Sequence, residues 1–236
     1  MERERFLASH NLHACYAELQ TIKQAILDGR LWELVETRSR NHPTLKAAFQ
    51  RMLVYADNFE VETPIRKRKG PFILSEESLF RPEVTRHQQR LLERYEPPSR
   101  VKKLLLLPEE HLRPFREIFG NGGPIERLER RTDIHICSYG LTYAIVPQEL
   151  LDVYPLSQTE TALTPTPAAT NHARIRMVAY LKRFRYSRCV MVVHEPWQER
   201  VADSIKRRFK RKIRVQVVKG DSFDIQMLRA VLKALK

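Results

Sequence analysis

Two runs of positive charge hold the densest chemistry in this chain. Lys206-Arg-Arg-Phe-Lys-Arg-Lys-Ile-Arg214 puts seven cations into nine residues, and Arg66-Lys-Arg-Lys69 places four in succession. Clustered cations make no bonds of their own. They displace condensed counterions from a polyanion, and a nucleic-acid backbone is the polyanion such groups fit. The candidate phosphate contacts are Arg66, Lys67, Arg68 and Lys69 in one run, and Lys206, Arg207, Arg208, Lys210, Arg211, Lys212 and Arg214 in the other, with Arg200 upstream of it. No aromatic residue is interleaved on the face that carries them, so stacking on bases is not indicated. A plainer account of the longer run is that it ends a helix, where the dipole favours positive charge. Its density favours phosphate contact.

Groups suited to bond-making are sparse. No strand is followed by G-x-G-x-x-G, there is no G-x-x-x-x-G-K, and Gly120-Asn-Gly-Gly follows a helix and reads as a plain loop. His194-Glu195-Pro196 ends a strand at the edge where α/β sites form, but no pair of carboxylates is placed by any pattern. Cys15, Cys137 and Cys189 are scattered, which argues for a reducing cytoplasm and against a disulfide framework or a self-contained zinc site. The longest apolar run, Leu104 to Leu107, is far too short to span a membrane.

The elements that must position the cations follow from hydrophobic spacing. The 236 residues carry a net charge of +14, and the last forty-one hold twelve Lys or Arg against four acids. Residues 1–56 read as three helices, about 14–28, 31–40 and 43–56, each with one buried face. Residues 57–100 read as a connector, with a hairpin of 59–63 and 71–75 carrying the basic turn at its tip and a helix from Pro82 to about Tyr95. From 101 to 236 strands and helices alternate: strands at 103–107, 134–138, 188–193 and 213–218, helices at 109–119, 124–131, 147–153, 171–185, 196–210 and 222–235, and a loop at 159–169. The expected fold is α/β: an N-terminal helical segment, the connector, then a mostly parallel sheet with helices on both faces. Helix 196–210 would bury Trp197, Val201, Ile205 and Phe209 and turn its cations outward.

Several blocks resemble archaeal tRNA-guanine transglycosylase, the enzyme that starts archaeosine synthesis. Phe6-Leu-Ala-Ser-His10-Asn11-Leu12, then Lys23-Gln-Ala-Ile26 and Gly29-Arg-Leu-Trp-Glu-Leu-Val-Glu36, are similar to the end of its catalytic barrel. Arg38-x-Arg40-x-His42-Pro43, Phe80-Arg-Pro-Glu83, Arg86-His87, Arg94-Tyr95-Glu-Pro97, Val146-Pro-x-Glu149-Leu150 and Asp152-x-Tyr154-Pro-Leu-Ser-Gln158 continue the pattern. The resemblance implies the tail of the barrel plus the first C-terminal accessory domain.

It also implies what lies elsewhere. In that family two catalytic aspartates and a C-x-C-x-x-C zinc motif would fall upstream of Met1, and the RNA-binding PUA domain follows this region. His10 matches the family's fourth zinc ligand, so zinc is expected only if three cysteines come from a partner chain. The expected function is therefore the C-terminal subunit of a split transglycosylase. It would support exchange of a tRNA D-loop guanine for 7-cyano-7-deazaguanine. Its expected partners are tRNA, a separately encoded barrel subunit and a PUA-domain protein, without a membrane. The alternatives are a stand-alone tRNA-binding module and a paralogue related to archaeosine synthase. The synthase carries Pro-Cys-x-x-x-Lys-Pro-Tyr where this chain has Pro108-Glu109-Glu-His-Leu-Arg113-Pro114-Phe115, so its cysteine and lysine are replaced.

Overall fold

A computed structural model describes residues 2–99, 101–109, 128, 131–220 and 225–236. The chain divides into two units, residues 1–85 with 154–162 and residues 86–153 with 163–236. The helices expected at 109–119 and 124–131 and the Gly120 loop fall mostly outside the described residues.

The first unit begins with α1 (Glu2–Asp28), α2 (Leu31–Ser39), α3 (Pro43–Met52) and α4 (Ala56–Glu62). Helix α1 starts twelve residues before the expected position, so the histidine-bearing apolar turn is itself helical. It ends in a Schellman motif. Gly29 takes φ +72°, its N–H bonds to the Ile26 carbonyl at 3.0 Å, and the Arg30 N–H reaches the Ala25 carbonyl at 2.7 Å. The His42-Pro43 pair is the start of α3: Pro43 stands in its first turn and His42 Nδ1 accepts from the Thr44 N–H at 3.2 Å.

The expected hairpin does not form. Residues 59–62 are helical, and β1 (Phe72–Ile73) instead pairs in parallel with β5 (Glu160–Thr161). Side chains take the bonds a hairpin partner would have offered: the Phe72 N–H donates to Glu33 at 3.1 Å and its carbonyl accepts from Arg81 Nη1 at 3.0 Å. Arg81 is fully buried between Glu83 and Glu33, and Lys67 closes the cluster on Glu83 at 2.5 Å. Burial would raise the Glu83 carboxyl, but Arg81 and Lys67 outweigh it and hold it at about 2.

In the second unit α5 (Pro82–Glu93) contributes residues from Arg86 onward. Strands β2 (Lys103–Pro108), β3 (Ile134–Gly140), β4 (Ala144–Pro147), β6 (Arg188–Val193) and β7 (Arg214–Lys219) form one sheet in the order β4-β3-β2-β6-β7. All neighbours are parallel except β3 and β4. Helices α6 (Pro167–Arg183), α7 (Pro196–Phe209) and α8 (Ile225–Ala234) cover it. The run of leucines in β2 shows why: Leu104 and Leu106 enter the core under α6 and α7, while Leu105 and Leu107 enter the core under α8. This is the α/β fold expected, with one added antiparallel strand. The helix expected at 147–153 is instead strand β4 followed by a single 3-10 turn, Gln148–Leu150. Pro147 fits there because β4 is an edge strand, where its missing N–H costs no ladder bond. The loop expected to 169 ends early: Thr166 caps α6 by accepting from the Ala169 N–H at 3.1 Å, ahead of Pro167.

Candidate nucleic-acid interface

Helix α7 is the element that aims the longer basic run. Glu195 and Gln198 form a capping box, and Gln198 Oε1 also accepts the His194 N–H at 2.9 Å. The His194-Glu195-Pro196 step at the end of β6 is thus used to start a helix. From that start Trp197, Val201, Ala202, Ile205 and Phe209 are buried on the sheet. Arg200, Lys206, Arg207 and Arg208 stay exposed, the turn exposes Lys210, Arg211 and Lys212, and buried Ile213 anchors the chain before exposed Arg214 opens β7. Among the described residues no ion pair or hydrogen bond engages these eight side chains. The helix dipole accounts for cations in the last turn of α7. It does not account for Lys210 through Arg214, which lie beyond the helix.

Strand register sets two residues that the sequence alone did not single out, Lys103 and Arg188, beside Arg214. Lys103, Arg188 and Arg214 are directly paired across β2, β6 and β7, so three basic residues stand side by side at the amino ends of neighbouring strands. Lys103 binds Asp133 at 3.0 Å and Arg188 binds the Ala234 carbonyl at 3.0 Å, which leaves Arg214 the outward member. Each strand start carries a cation in the sequence, but only the register shows that they align.

The shorter run is arranged differently. Arg66 and Arg68 are exposed, Lys69 pairs with Asp28 at 3.2 Å, and Lys67 is held on Glu83 inside the first unit. Two of its four cations therefore serve the fold. This run belongs to the first unit and the longer one to the second, so the two are described separately.

His10 lies exposed on α1, and among the described residues no group of three His, Cys, Asp or Glu is placed to hold a metal. Cys137 and Cys189 are fully buried, and burial pushes the Cys189 thiol up to about 12. Neither is available as a thiolate ligand. One exposed imidazole can fill one corner of a tetrahedral site and no more.

Two of the sequence blocks meet in the second unit. Tyr186 OH bonds His135 Nδ1 at 2.6 Å, His135 Nε2 bonds Tyr95 OH at 2.9 Å, and Tyr95 OH donates to Glu149 Oε1 at 2.9 Å. Because the Tyr95 hydroxyl donates to Glu149, its oxygen is left to accept from His135 Nε2–H. Burial would raise Glu149, but the bonds from His135 and Tyr95 prevail and lower it. The Arg94-Tyr95 and Val146-Pro-x-Glu149 blocks are thereby joined through a buried histidine. A cleft of about 600 Å³ opens beside Glu149 and His135.

Residues 84–235 match the family model of a domain of unknown function, DUF5591, and the chain belongs to that family. Its curated relatives bear the name the sequence blocks suggested. The tRNA-guanine(15) transglycosylase of Methanocaldococcus jannaschii is 40% identical over 163 residues, 67% of this chain and 23% of the relative. That of Methanococcus vannielii is 37% identical over the same shares, and that of Haloarcula marismortui is 34% identical over 205 residues, 86% of this chain and 36% of the relative. The chain thus spans roughly a quarter to a third of the length of these relatives. A solved structure, AF0587, a protein of unknown function, aligns with a TM-score of 0.45 at 14% identity, over 63% of this chain and 49% of that one.

Proposed function

We propose that this chain works as the C-terminal part of an archaeal tRNA-guanine transglycosylase whose catalytic barrel is a separate chain. The observation that carries the proposal is α1. In its 27 residues no side chain is buried, yet Phe6, Leu12, Tyr16, Leu19, Ile26 and Leu27 are each more than half exposed. A helix with that much apolar surface on more than one side is stable in water only against a partner. The first unit also has an apolar groove of about 360 Å³, lined by Ile22, Leu34, Val35, Leu45, Phe49 and Met52. The reading of that partner as a transglycosylase barrel is supported by relatives of that name, of which this chain covers 23% and 36%.

On this reading the assembled enzyme exchanges a guanine of the tRNA D-loop for 7-cyano-7-deazaguanine, with the nucleophilic aspartate on the barrel chain. The present chain completes the barrel through α1 and holds tRNA phosphates at the basic edge of its sheet. His10 supplies the fourth ligand to a zinc ion held by three cysteines of the barrel chain. A PUA-domain protein joins as a third component. Mixing with the barrel chain should yield one complex containing zinc, and His10→Ala should remove the metal while α1 still docks. Separate elution of the two chains, together with full base exchange by the barrel chain alone, overturns the proposal. In that case the exposed basic edge favours the second reading, a tRNA-binding module that acts without a barrel.

A further inference from the structure

We propose that the second unit holds a binding site for a small carboxylate with an apolar body, placed between α5, β4 and α6. The cavity there measures about 330 Å³, within the range of ligand pockets, and its walls include Leu91, Ile145, Ile175 and Ala179. Into this apolar setting α6 brings Arg176. Its Nε donates to His172 Nε2 at 2.8 Å, and neither Nη makes a hydrogen bond or ion pair among the described residues. Burial alone lowers this guanidinium, and among the described residues no carboxylate offsets the loss of water. A partly buried cation with no counterion is costly in an empty cavity and useful in one that receives an anion.

The orientation of the arginine narrows the ligand. Because His172 accepts through Nε2 it is neutral, in keeping with burial and then Arg176 pushing its pKa down to about 4. The Nε–H is therefore occupied and the two Nη atoms remain, an end-on fork that matches one carboxylate. Among the described residues no lysine or second arginine lines the cavity, so a phosphate dianion would be left half compensated. Two further features are concentrated on the same walls. Gln88, only 4% exposed, gives its Nε2 to the Thr142 carbonyl at 3.4 Å and leaves Oε1 without a partner. Ala144, 2% exposed, takes φ +63° where the turn from β3 enters β4, which sets this wall of the cavity. An anion fork on an apolar cavity, with an unused acceptor for a donor elsewhere on the ligand, describes a ligand site.

The test uses the full chain and phenylpropionate as probe, followed by the arginine Nε–H and isoleucine methyl resonances. Saturable shifts of Arg176, Ile145 and Ile175 are expected, with phenylpropionamide and inorganic phosphate binding at least ~10-fold more weakly. Arg176→Leu should abolish probe binding while leaving the melting temperature of the free protein unchanged or raised. Arg176→Lys, which keeps the charge and loses the fork, should weaken binding. The proposal is overturned if acid and amide bind equally or phosphate competes as well as the acid. It is also overturned if no probe saturates, or if Arg176→Leu destabilises the free protein, which would make the arginine a structural residue.

Discussion

Neutralising Arg207, Arg208 and Arg211 to glutamine tests the basic edge where it is least entangled with the fold. All three are exposed, and none is paired with a carboxylate among the described residues, so their loss strands no counter-charge. Each phosphate neutralised contributes about 0.9 to the slope of log affinity against log salt on duplex nucleic acid. If all three make contacts, the slope should fall by about 2.7. Carried from a ~1 M reference to about 0.15 M salt, that is a loss of roughly 150-fold in tRNA affinity. Stability should move by less than about 0.5 kcal/mol, since these are surface positions in a region of like charge. Filter binding or fluorescence anisotropy at several salt concentrations gives the slope, and several unrelated tRNAs should weaken alike. An unchanged slope, or a loss confined to one tRNA, would refute the phosphate reading of the edge.

Other perturbations probe the fold beneath the interface. Glu83→Gln should cost about 3 kcal/mol at neutral pH, from the depression of its pKa to about 2, because it leaves Arg81 buried without its main partner. Since the folded pKa is the depressed one, this difference is present in full above the ordinary carboxylate range. It should shrink as pH falls from there towards 2, as urea titrations at stepped pH will show. Gly70→Ala would set its methyl against the Gln158 carbonyl, which is backbone and cannot swing aside, so a loss of about 1–3 kcal/mol in denaturant unfolding is expected. Tyr95→Phe removes the link between His135 and Glu149 and should lower stability by about 2 kcal/mol, one of its bonds being to a carboxylate.

The elements of the second unit were legible because their signals are local. Four buried strands and the amphipathic pattern of α7 can be read from spacing, and both appear within a residue or two of the expected limits. Two of the failures came from strand pairing that hydrophobic spacing alone does not reveal, one distant in sequence and one local. Phe72 and Ile73 looked like half of a hairpin, but their strand partners are 88 residues on, at Glu160 and Thr161. Pro147 looked like a helix start until the pairing of β4 with β3 made it an edge-strand residue. The cations themselves were plain in the sequence, whereas the alignment of Lys103, Arg188 and Arg214 exists only in the register. Arg176 gave no signal at all, because an arginine on a helix becomes unusual only once no carboxylate is found beside it among the described residues.

The two proposed partners depend on opposite physics, and this makes them separable. Docking through α1 rests on apolar side chains such as Leu12, Tyr16, Leu19 and Ile26. Its driving force is insensitive to simple salts and strengthened by sulfate or phosphate. Contact through Lys206 to Arg214 rests on counterion release and decays steeply with ionic strength. Raising salt on a complex of this chain, a barrel chain and tRNA should therefore strip the tRNA first and leave the two proteins together. Loss of the barrel chain before the tRNA would mean that charge holds the proteins together. The exposed stripe of α1 would then no longer be evidence for a split enzyme.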